Sequence, residues 1–220
     1  MSTLQDARVA LNRQLVRDRI TEFLRPYRTD RRVLDLGSGN SPYTELFPNR
    51  HCLDIRRSPG TTIVGDAHGL PFASSSFDLI LCTEMLEHTL DPQQIVDEIW
   101  RALRPGGRVL LTTRFIFPLH DVPGDYYRFT NYALAHLFRR WASARVEPEA
   151  TTLETLGILL HRLAIQGEFR AHRAARLALV AVARLIGRLN GVLIRQYGNA
   201  QRTEPVPQML VSGWHVVASK

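Results

Sequence analysis

The sequence is poor in cysteine, and it has neither a long apolar run nor a secretion signal. Its two cysteines, Cys52 and Cys82, both lie within apolar stretches, which is typical of buried thiols and argues against a disulfide or a cysteine metal pair. No stretch approaches the roughly 18 uncharged residues that a membrane-spanning helix needs. The N-terminal residues are charged throughout and lack the apolar segment of a signal peptide. These absences predict a cytoplasmic protein.

Lysine is almost missing as well. Lys220 is the only lysine among 28 basic residues, so arginine supplies the net charge of +7. A basic chain favours acidic partners such as nucleic acid, anionic lipid or a phosphorylated substrate. A basic surface that binds no such partner accounts for the charge equally well.

Short apolar segments alternate with helical patterns along the 220 residues. Buried parallel strands are typically apolar throughout, and strands that alternate with helices predict a parallel sheet covered on both faces. We predict an α/β fold with a Rossmann-like, doubly wound, seven-stranded and mostly parallel sheet. The strands are expected at 33–36, 51–55, 61–64, 77–83, 108–113, around Val146, and at 214–218.

Helical patterns account for most of the remaining chain. Asp91 and Pro92 have the character of an N-cap and a first helical residue, so a helix is expected over 92–103. Other helices are expected over 4–25, 42–47 and 130–140. We treat residues 1–220 as a single domain with an N-terminal helix (1–28), a core (30–150), a helical insertion (151–205) and a final strand (206–220).

The insertion carries an amphipathic pattern over 173–195, with arginines opposite an apolar face. Packing against the body of the protein explains such a pattern. A basic amphipathic helix also suits a membrane surface, and a dimer contact or a lid over the substrate stays open.

The stretch RVLDLGSGNSPY, residues 32–43, predicts a strand that ends in a ligand-binding turn. A dinucleotide fingerprint needs a third glycine, and Pro42 occupies its position. Asp35, just before Gly37, would repel phosphates but suits a cationic ligand such as S-adenosyl-L-methionine (SAM). A plain turn at Gly37 and Gly39 remains an alternative.

Two further acids follow predicted strands. Asp54 ends the second strand and can accept hydrogen bonds from ribose hydroxyls, and Asp66 follows the third, where it can accept from an adenine amino group. Either could serve only as a turn or cap residue. Together with Asp35 they favour a nucleoside site.

The motifs VLDLGSGNSPY, CLDI, VGDAHGLPFASSSFDLILCTEMLEH and ALRPGGRVLLTT, in this order, resemble the class I SAM-dependent methyltransferases, and among them the small-molecule type known as type 11. The resemblance covers about residues 30–145 and the last strand, and it departs from the family at Ser41. It implies SAM as the cofactor, held by residues at the ends of the first four strands: Asp35, Gly37, Ser38, Gly39, Asp54, Ile55, Asp66, Ala67, Thr83 and Glu84.

A second, local resemblance covers FPLHDVPGDYYRFT, residues 117–130. It is similar to a segment of bacterial methyltransferases associated with cell-surface sugar or glycolipid pathways. Tyr126, Tyr127 and Arg128 are therefore candidate acceptor contacts, although a packed loop explains them equally well.

Methyl transfer to a hydroxyl needs alignment and removal of a proton, for which histidine is the usual base. The candidate catalytic residues are His120, with Asp121 beside it, and His88. A structural role is the alternative for each histidine. The chain has no cysteine–histidine spacing typical of a metal site, so no metal is expected.

The predicted function is methyl transfer to a small-molecule, sugar or lipid-linked acceptor, at oxygen. The rivals are a non-catalytic SAM-binding protein and a nicotinamide-dependent oxidoreductase. Nucleic acid is not favoured as a partner, because the chain lacks the Asp/Asn-Pro-Pro-aromatic turn and the Pro-Cys nucleophile of nucleobase methylases. Contact with the inner membrane face through 173–195 and the oligomeric state stay open.

Overall fold

A computed structural model describes residues 18–40, 42–169, 172–207 and 209–220, with the side chains of residues 172 and 173 left out. Most of the predicted helix over 4–25 lies outside the described residues, and so does Ser41. The described part of that helix, α1, covers residues 18–24.

The chain divides into two compact units. One contains Ile116–Pro118 and Pro148–Gly213, with Asp18 and Arg19. The other contains Ile20–Phe115, Leu119–Glu147 and Trp214–Lys220.

A seven-stranded sheet has the order β3-β2-β1-β4-β5-β7-β6. The pairs formed by β1, β2, β3, β4 and β5 are parallel. Gly107, near the start of β5, accepts a hydrogen bond from the N–H of Lys220, just after β7, so β7 runs antiparallel to β5. The predicted seven-stranded, mostly parallel α/β sheet is confirmed. Its strands are β1 Val33–Leu36, β2 Arg50–Asp54, β3 Ile63–Val64, β4 Phe77–Thr83, β5 Leu103–Arg114, β6 Ser143–Pro148 and β7 Gly213–Ser219.

The helices begin at polar caps, as their sequences predict. Asp91 caps the second helix by accepting a hydrogen bond from the N–H of Gln94 at 3.0 Å, and Thr151 forms a capping box with Glu154 at the fourth. The helices are α2 Pro92–Ala102, α3 Asn131–Leu137, α4 Thr152–Gln166 and α5 His172–Arg188, with 3-10 turns at Arg25–Tyr27, Tyr43–Glu45, Leu86–His88 and Asn190–Val192. The predicted helical insertion before the last strand is thus present as α4 and α5.

Several predicted boundaries are wrong; for example, α3 ends at Leu137 rather than 140, and β3 begins at Ile63 rather than 61. Three further differences concern β5, the segment 42–47 and α5. The fifth strand begins at Leu103 rather than 108, because the chain leaves the ladder after Leu103 and rejoins it at Arg108. Gly106, at φ 76°, permits that irregularity. The segment 42–47 contains only a 3-10 turn, and α5 ends at Arg188 instead of 195, ahead of an Asn-Gly pair that disfavours helix.

The core of the larger unit lies along the central strands. All four residues of β1 are buried, and so are all residues of β4 except Asp78. Cys52 and Cys82 are buried and free, which confirms their prediction as core thiols.

Helices α4 and α5 approach closely at Gly157, where an added Cβ would lie 2.7 Å from the carbonyl oxygen of Ala183. The apolar pattern of α5 is not covered, since Leu177 and Leu185 are 69% and 60% exposed. Across residues 18–40, 42–169, 172–207 and 209–220, no helix combines the length and apolar character needed to cross a membrane.

Candidate active site

A cleft of about 690 Å³ opens at the carboxyl ends of the parallel strands of the larger unit. The sheet order reverses there, because β1 pairs with β2 on one side and with β4 on the other. Ligands of open α/β sheets bind at such switch points. Turns after β1 to β5 contribute its walls, including Gly37, Gly39, Asp54, Ile55, Asp66, Ala67, His68, Glu84, Met85, His88, Asp121, Val122 and Gly124.

The turn after β1 depends on two glycines. Gly37 and Gly39 have φ values of 62° and 49°, a region that other residues avoid. A Cβ at Gly37 would lie only 2.4 Å from Cγ of Met85. The N–H of Gly39 donates to Oδ2 of Asp54 at 2.9 Å. The turn therefore joins the ends of β1, β2 and β4.

Asp54 and Ile55 form the wall after β2. The second oxygen of Asp54, Oδ1, accepts from the N–H of Arg56 at 2.9 Å. These two backbone bonds hold the carboxylate in place, and each oxygen retains a lone pair for a ligand hydroxyl. The Ile55 side chain is 67% exposed in the cleft, which provides an apolar surface for a flat ring.

Asp66 and Ala67 form the wall after β3. Oδ1 of Asp66 accepts from the N–H of His68 at 2.9 Å and contacts the His68 ring at 2.7 Å. These bonds hold the pKa of Asp66 below its usual value. The carboxylate is thus kept as a hydrogen-bond acceptor.

Three of the predicted cofactor residues do not line the cleft. Asp35 is fully buried within β1, where Oδ2 lies 3.5 Å from Nη1 of Arg50. Ser38 is buried behind the glycine turn, and its N–H donates to the Leu53 carbonyl at 3.3 Å. Thr83 is buried at the end of β4. None of the three is among the residues that line the cleft.

Glu84 lines the cleft in a strained backbone conformation, with φ at 53°. Its N–H donates to the Thr112 carbonyl at 3.0 Å, and its Oε1 accepts from Oγ1 of Thr112 at 2.9 Å. The other carboxylate oxygen forms an ion pair with the buried Arg114. Partners on β5 thus orient this side chain.

The two predicted catalytic histidines meet at one end of the cleft. The rings of His88 and His120 are edge to face, with their centroids 4.8 Å apart. Nδ1 of His88 lies 2.7 Å from the Gly124 carbonyl. Because a carbonyl can only accept, Nδ1 carries the proton and Nε2 has the lone pair.

The predicted pairing of His120 with Asp121 is corrected. The carboxylate beside His120 belongs to Asp125, which accepts from the His120 N–H at 2.9 Å and lies 3.4 Å from Nδ1. The chain turns at Asp121, whose φ is 53°, and so brings the residue five positions onward back to the histidine. Asp121 lines the cleft instead.

Asp125 was missed by sequence reasoning. Both of its buried oxygens accept from Arg128 at 2.6 Å, which lowers the pKa of Asp125 well below its usual range. Arg128 is therefore engaged within the loop, and the Tyr127 hydroxyl donates to the Leu90 carbonyl at 3.0 Å. The opposite charges of Asp125 and Arg128, three residues apart in the sequence, were the available signal.

Glu87 is the second residue that was missed, although it directly precedes His88. It is fully buried, and Oγ1 of Thr113 donates to its Oε2 at 2.7 Å. Burial, together with the nearby charge of Glu84, raises the pKa of Glu87 to about 8.

A family profile described as a methyltransferase domain matches residues 34–111. Malonyl-[acyl-carrier protein] O-methyltransferase of Halorhodospira halophila is 30% identical over 150 residues, or 59% of this chain and 51% of that protein. The matched segment identifies a class I SAM-dependent methyltransferase domain in this chain. Ubiquinone biosynthesis O-methyltransferase of Xylella fastidiosa is 34% identical over 101 residues, or 37% of this chain and 41% of that protein. The chain thus spans about half or less of the length of the curated relatives it matches.

The fold of the chain is also found among solved methyltransferases. A solved SAM-dependent methyltransferase from Archaeoglobus fulgidus superposes with a TM-score of 0.57 and 18% identity, covering 94% of each chain. At that identity the similarity concerns the fold alone.

The cleft residues fit the cofactor of this family, SAM. The carboxylates of Asp54 and Asp66 line the same cleft as the exposed side chain of Ile55, and this set of groups suits the hydroxyls, amino group and flat ring of an adenosine. The volume of about 690 Å³ lies in the range typical of cofactor sites. The match to this family argues against the alternative of a nicotinamide-dependent oxidoreductase.

Proposed function

We propose that this methyltransferase methylates an oxygen atom of a small-molecule, sugar or lipid-linked acceptor. The observation that carries the proposal is the pair of imidazoles at the end of the cofactor cleft. His88 lines that cleft, and the His120 ring packs against it. A hydroxyl acceptor needs such a group, because its proton has to leave as the new bond forms.

Residues of the first three strand ends bind the cofactor in this proposal. The Gly37–Gly39 turn wraps the amino-acid part, Asp54 accepts from the ribose hydroxyls, and Asp66 with Ala67 lies beside the adenine. Asp35, Ser38 and Thr83 support this wall from behind, and Ile55 covers the ring. Bound there, SAM supplies a methyl group on a positively charged sulfur that leaves readily as a thioether.

The imidazole of His88 takes the acceptor proton. Its Nε2 has the lone pair, because Nδ1 donates to the Gly124 carbonyl. Loss of that proton would leave the acceptor oxygen as the nucleophile toward the methyl group that SAM would supply. His120, held by Asp125, supports the His88 ring or replaces it as base, and Glu84 and Asp121 border the same space.

The chemistry of the rim supports an acceptor with an apolar part. Leu119, Val122 and Tyr126 are all exposed on the loop after β5, and Val122 borders the cleft. The names of the two relatives, O-methyltransferases for malonyl-acyl carrier protein and for ubiquinone biosynthesis, support oxygen as the acceptor atom.

Calorimetry with SAM and a methyl-release assay against hydroxylated phenols, sugars and acyl carriers test the proposal. Asp54→Ala is expected to weaken SAM binding at least tenfold. His88→Gln is expected to retain SAM binding and lose transfer. If the unmodified protein binds SAM and methylates none of these acceptors, the non-catalytic alternative is favoured; if His88→Gln transfers at the normal rate, the assignment of the base is wrong.

A lipid-linked acceptor is also supported by α5. Leu177, Val182 and Leu185 are exposed on this helix, and arginines at 176, 184 and 188 lie among them. An exposed apolar stripe beside arginines suits the surface of an anionic membrane. We propose that α5 and the following residues to 195 touch such a surface, as a peripheral contact at the inner membrane face of a cytoplasmic enzyme.

A further inference from the structure

We propose that Glu87, His88 and His120 form a binding site for one divalent transition-metal ion, such as Zn²⁺. One ligand atom from each of the three residues lies within 4.8 Å of the others. Two of the ligands come from the 3-10 turn Leu86–His88 after β4, and the third comes from the loop after β5. The sequence predicted no metal here because the ligands are not at a regular spacing.

Glu87 provides the observation that most directly points to a ligand. Its side chain is fully buried, and Oε2 accepts from Thr113. Oε1 is buried too, and among the described residues it has no hydrogen-bond partner. An unsatisfied buried oxygen costs free energy, and a cation would satisfy it.

The surroundings of both histidines are those of metal-bound imidazoles. Proteins orient such rings by hydrogen bonds from the second ring nitrogen to a carbonyl or carboxylate. His88 has the Gly124 carbonyl at 2.7 Å from Nδ1, and His120 has the Asp125 carboxylate at 3.4 Å from Nδ1. Arg128 in turn fixes Asp125 through both of its oxygens.

The chemical nature of the three ligand atoms determines which class of metal ion the site would bind. Two imidazole nitrogens and one carboxylate oxygen suit Zn²⁺ and its neighbours in the first transition series rather than Mg²⁺ or Ca²⁺, which prefer oxygen ligands. Ligands of a tetrahedral zinc lie about 3.3 Å apart, given bonds of about 2.0–2.1 Å. The ion is therefore expected to draw the three groups together by up to about 1.5 Å.

Three protein ligands leave a position open for an acceptor oxygen. Because His88 lines the cleft, that position is reached from the cofactor space. A hydroxyl bound there loses its proton to solvent more readily, so the ion would replace His88 as the group that activates it. This use of the ion rests on the methyl transfer proposed above, whereas binding of the ion does not.

The test is a Co²⁺ titration of the chelator-treated 220-residue chain in the absence of SAM. Binding is followed through the visible ligand-field absorption of the bound Co²⁺. One equivalent is expected to bind and to be displaced by Zn²⁺. Glu87→Gln, His88→Gln and His120→Gln are each expected to weaken binding by at least about 100-fold, because loss of a residue that merely supports a metal ligand already costs about 10- to 100-fold. His136→Gln is the matched control, because His136 is an exposed histidine of α3 that does not belong to the cluster.

Unchanged Co²⁺ binding in the three variants would overturn the site, and so would equal weakening by His136→Gln. If Glu87→Gln does not fold, as judged by circular dichroism, the two histidine variants decide. Methyl transfer by protein that binds no Co²⁺ would overturn the metal site and leave the proposed function standing. Binding of one Co²⁺ without any methyl transfer would overturn the proposed function and leave the metal site standing.

Discussion

Gly37 shows how a single residue shapes the cofactor site. Its positive φ excludes other residues on conformational grounds, and the Met85 side chain fills the space where a Cβ would lie. Gly106 has a similar φ of 76°, yet nothing lies within 4 Å of its Cβ position. A comparison of substitutions at Gly37 and Gly106 therefore distinguishes the cost of backbone strain from the cost of steric overlap.

We predict that Gly37→Ala lowers the free energy of unfolding by about 2–4 kcal/mol and weakens SAM binding at least tenfold, because strain of about 1–3 kcal/mol adds to the displacement of Met85. Gly106→Ala should show the strain alone and bind SAM normally. Urea denaturation and calorimetry measure both effects. Normal SAM binding by Gly37→Ala would mean that the turn is not part of the site.

Asp35 and Asp54 differ in what they stabilise, although both were predicted as cofactor residues. Asp35 is buried beside Arg50, so its removal leaves a buried charge, at a cost of about 3–5 kcal/mol. We predict that Asp35→Ala mainly lowers the melting temperature, whereas Asp54→Ala mainly lowers SAM affinity. Thermal unfolding with and without SAM distinguishes them. Equal melting temperatures for the two variants would contradict this division of roles.

Within α2, one ion pair ties the helix to the loop before β4. Glu98 accepts from the N–H of Leu70 at 2.7 Å and pairs with Arg101, while Arg101 donates to the carbonyls of Leu70 and Phe72. The Arg101 hydrogen bond is the main reason that the pKa of Glu98 lies below its ordinary value of 4.5.

A carboxyl with a lowered pKa stabilises the fold above its unfolded-state pKa and loses that effect as the pH falls through the folded-state value. We predict that Glu98→Gln costs about 2 kcal/mol at neutral pH and less below pH 4. The exposed Glu45→Gln is the control. Urea denaturation at both pH values measures the difference, and an equal loss at both would contradict the role of the charge.

For the molecule as a whole, the exposed face of α5 predicts membrane contact. The protein is expected to float with vesicles that contain anionic lipid and to sediment with neutral ones. Leu177→Glu with Leu185→Glu should abolish flotation, because both apolar side chains are exposed. Val64→Glu, at a half-exposed apolar residue of β3, is the control. Absence of flotation with anionic vesicles would remove the proposed contact.

Most of the sheet was predictable, since strands buried on both faces are apolar throughout. The boundaries of β4 were predicted to the residue, and the Asp91 cap of α2 was predicted as well. Irregular segments were not predictable. The start of β5 was predicted too late because Pro105 and Gly106 are typical of a turn, whereas in the structure they form an irregularity within the strand. The end of α5 was set too far along because its apolar period continues past Gly187.

The sequence by itself determined the family, the fold class and the cofactor, because the order of strands, glycines and acids is local in the chain. It also determined that both cysteines are core thiols. Only the tertiary structure decided which side chain each carboxylate contacts. Asp35 faces Arg50, and His120 lies beside Asp125 rather than Asp121. It also brought Glu87 together with His88 and His120, because contacts between the ends of β4 and β5 depend on how the strands pair, and no spacing within one segment records that pairing.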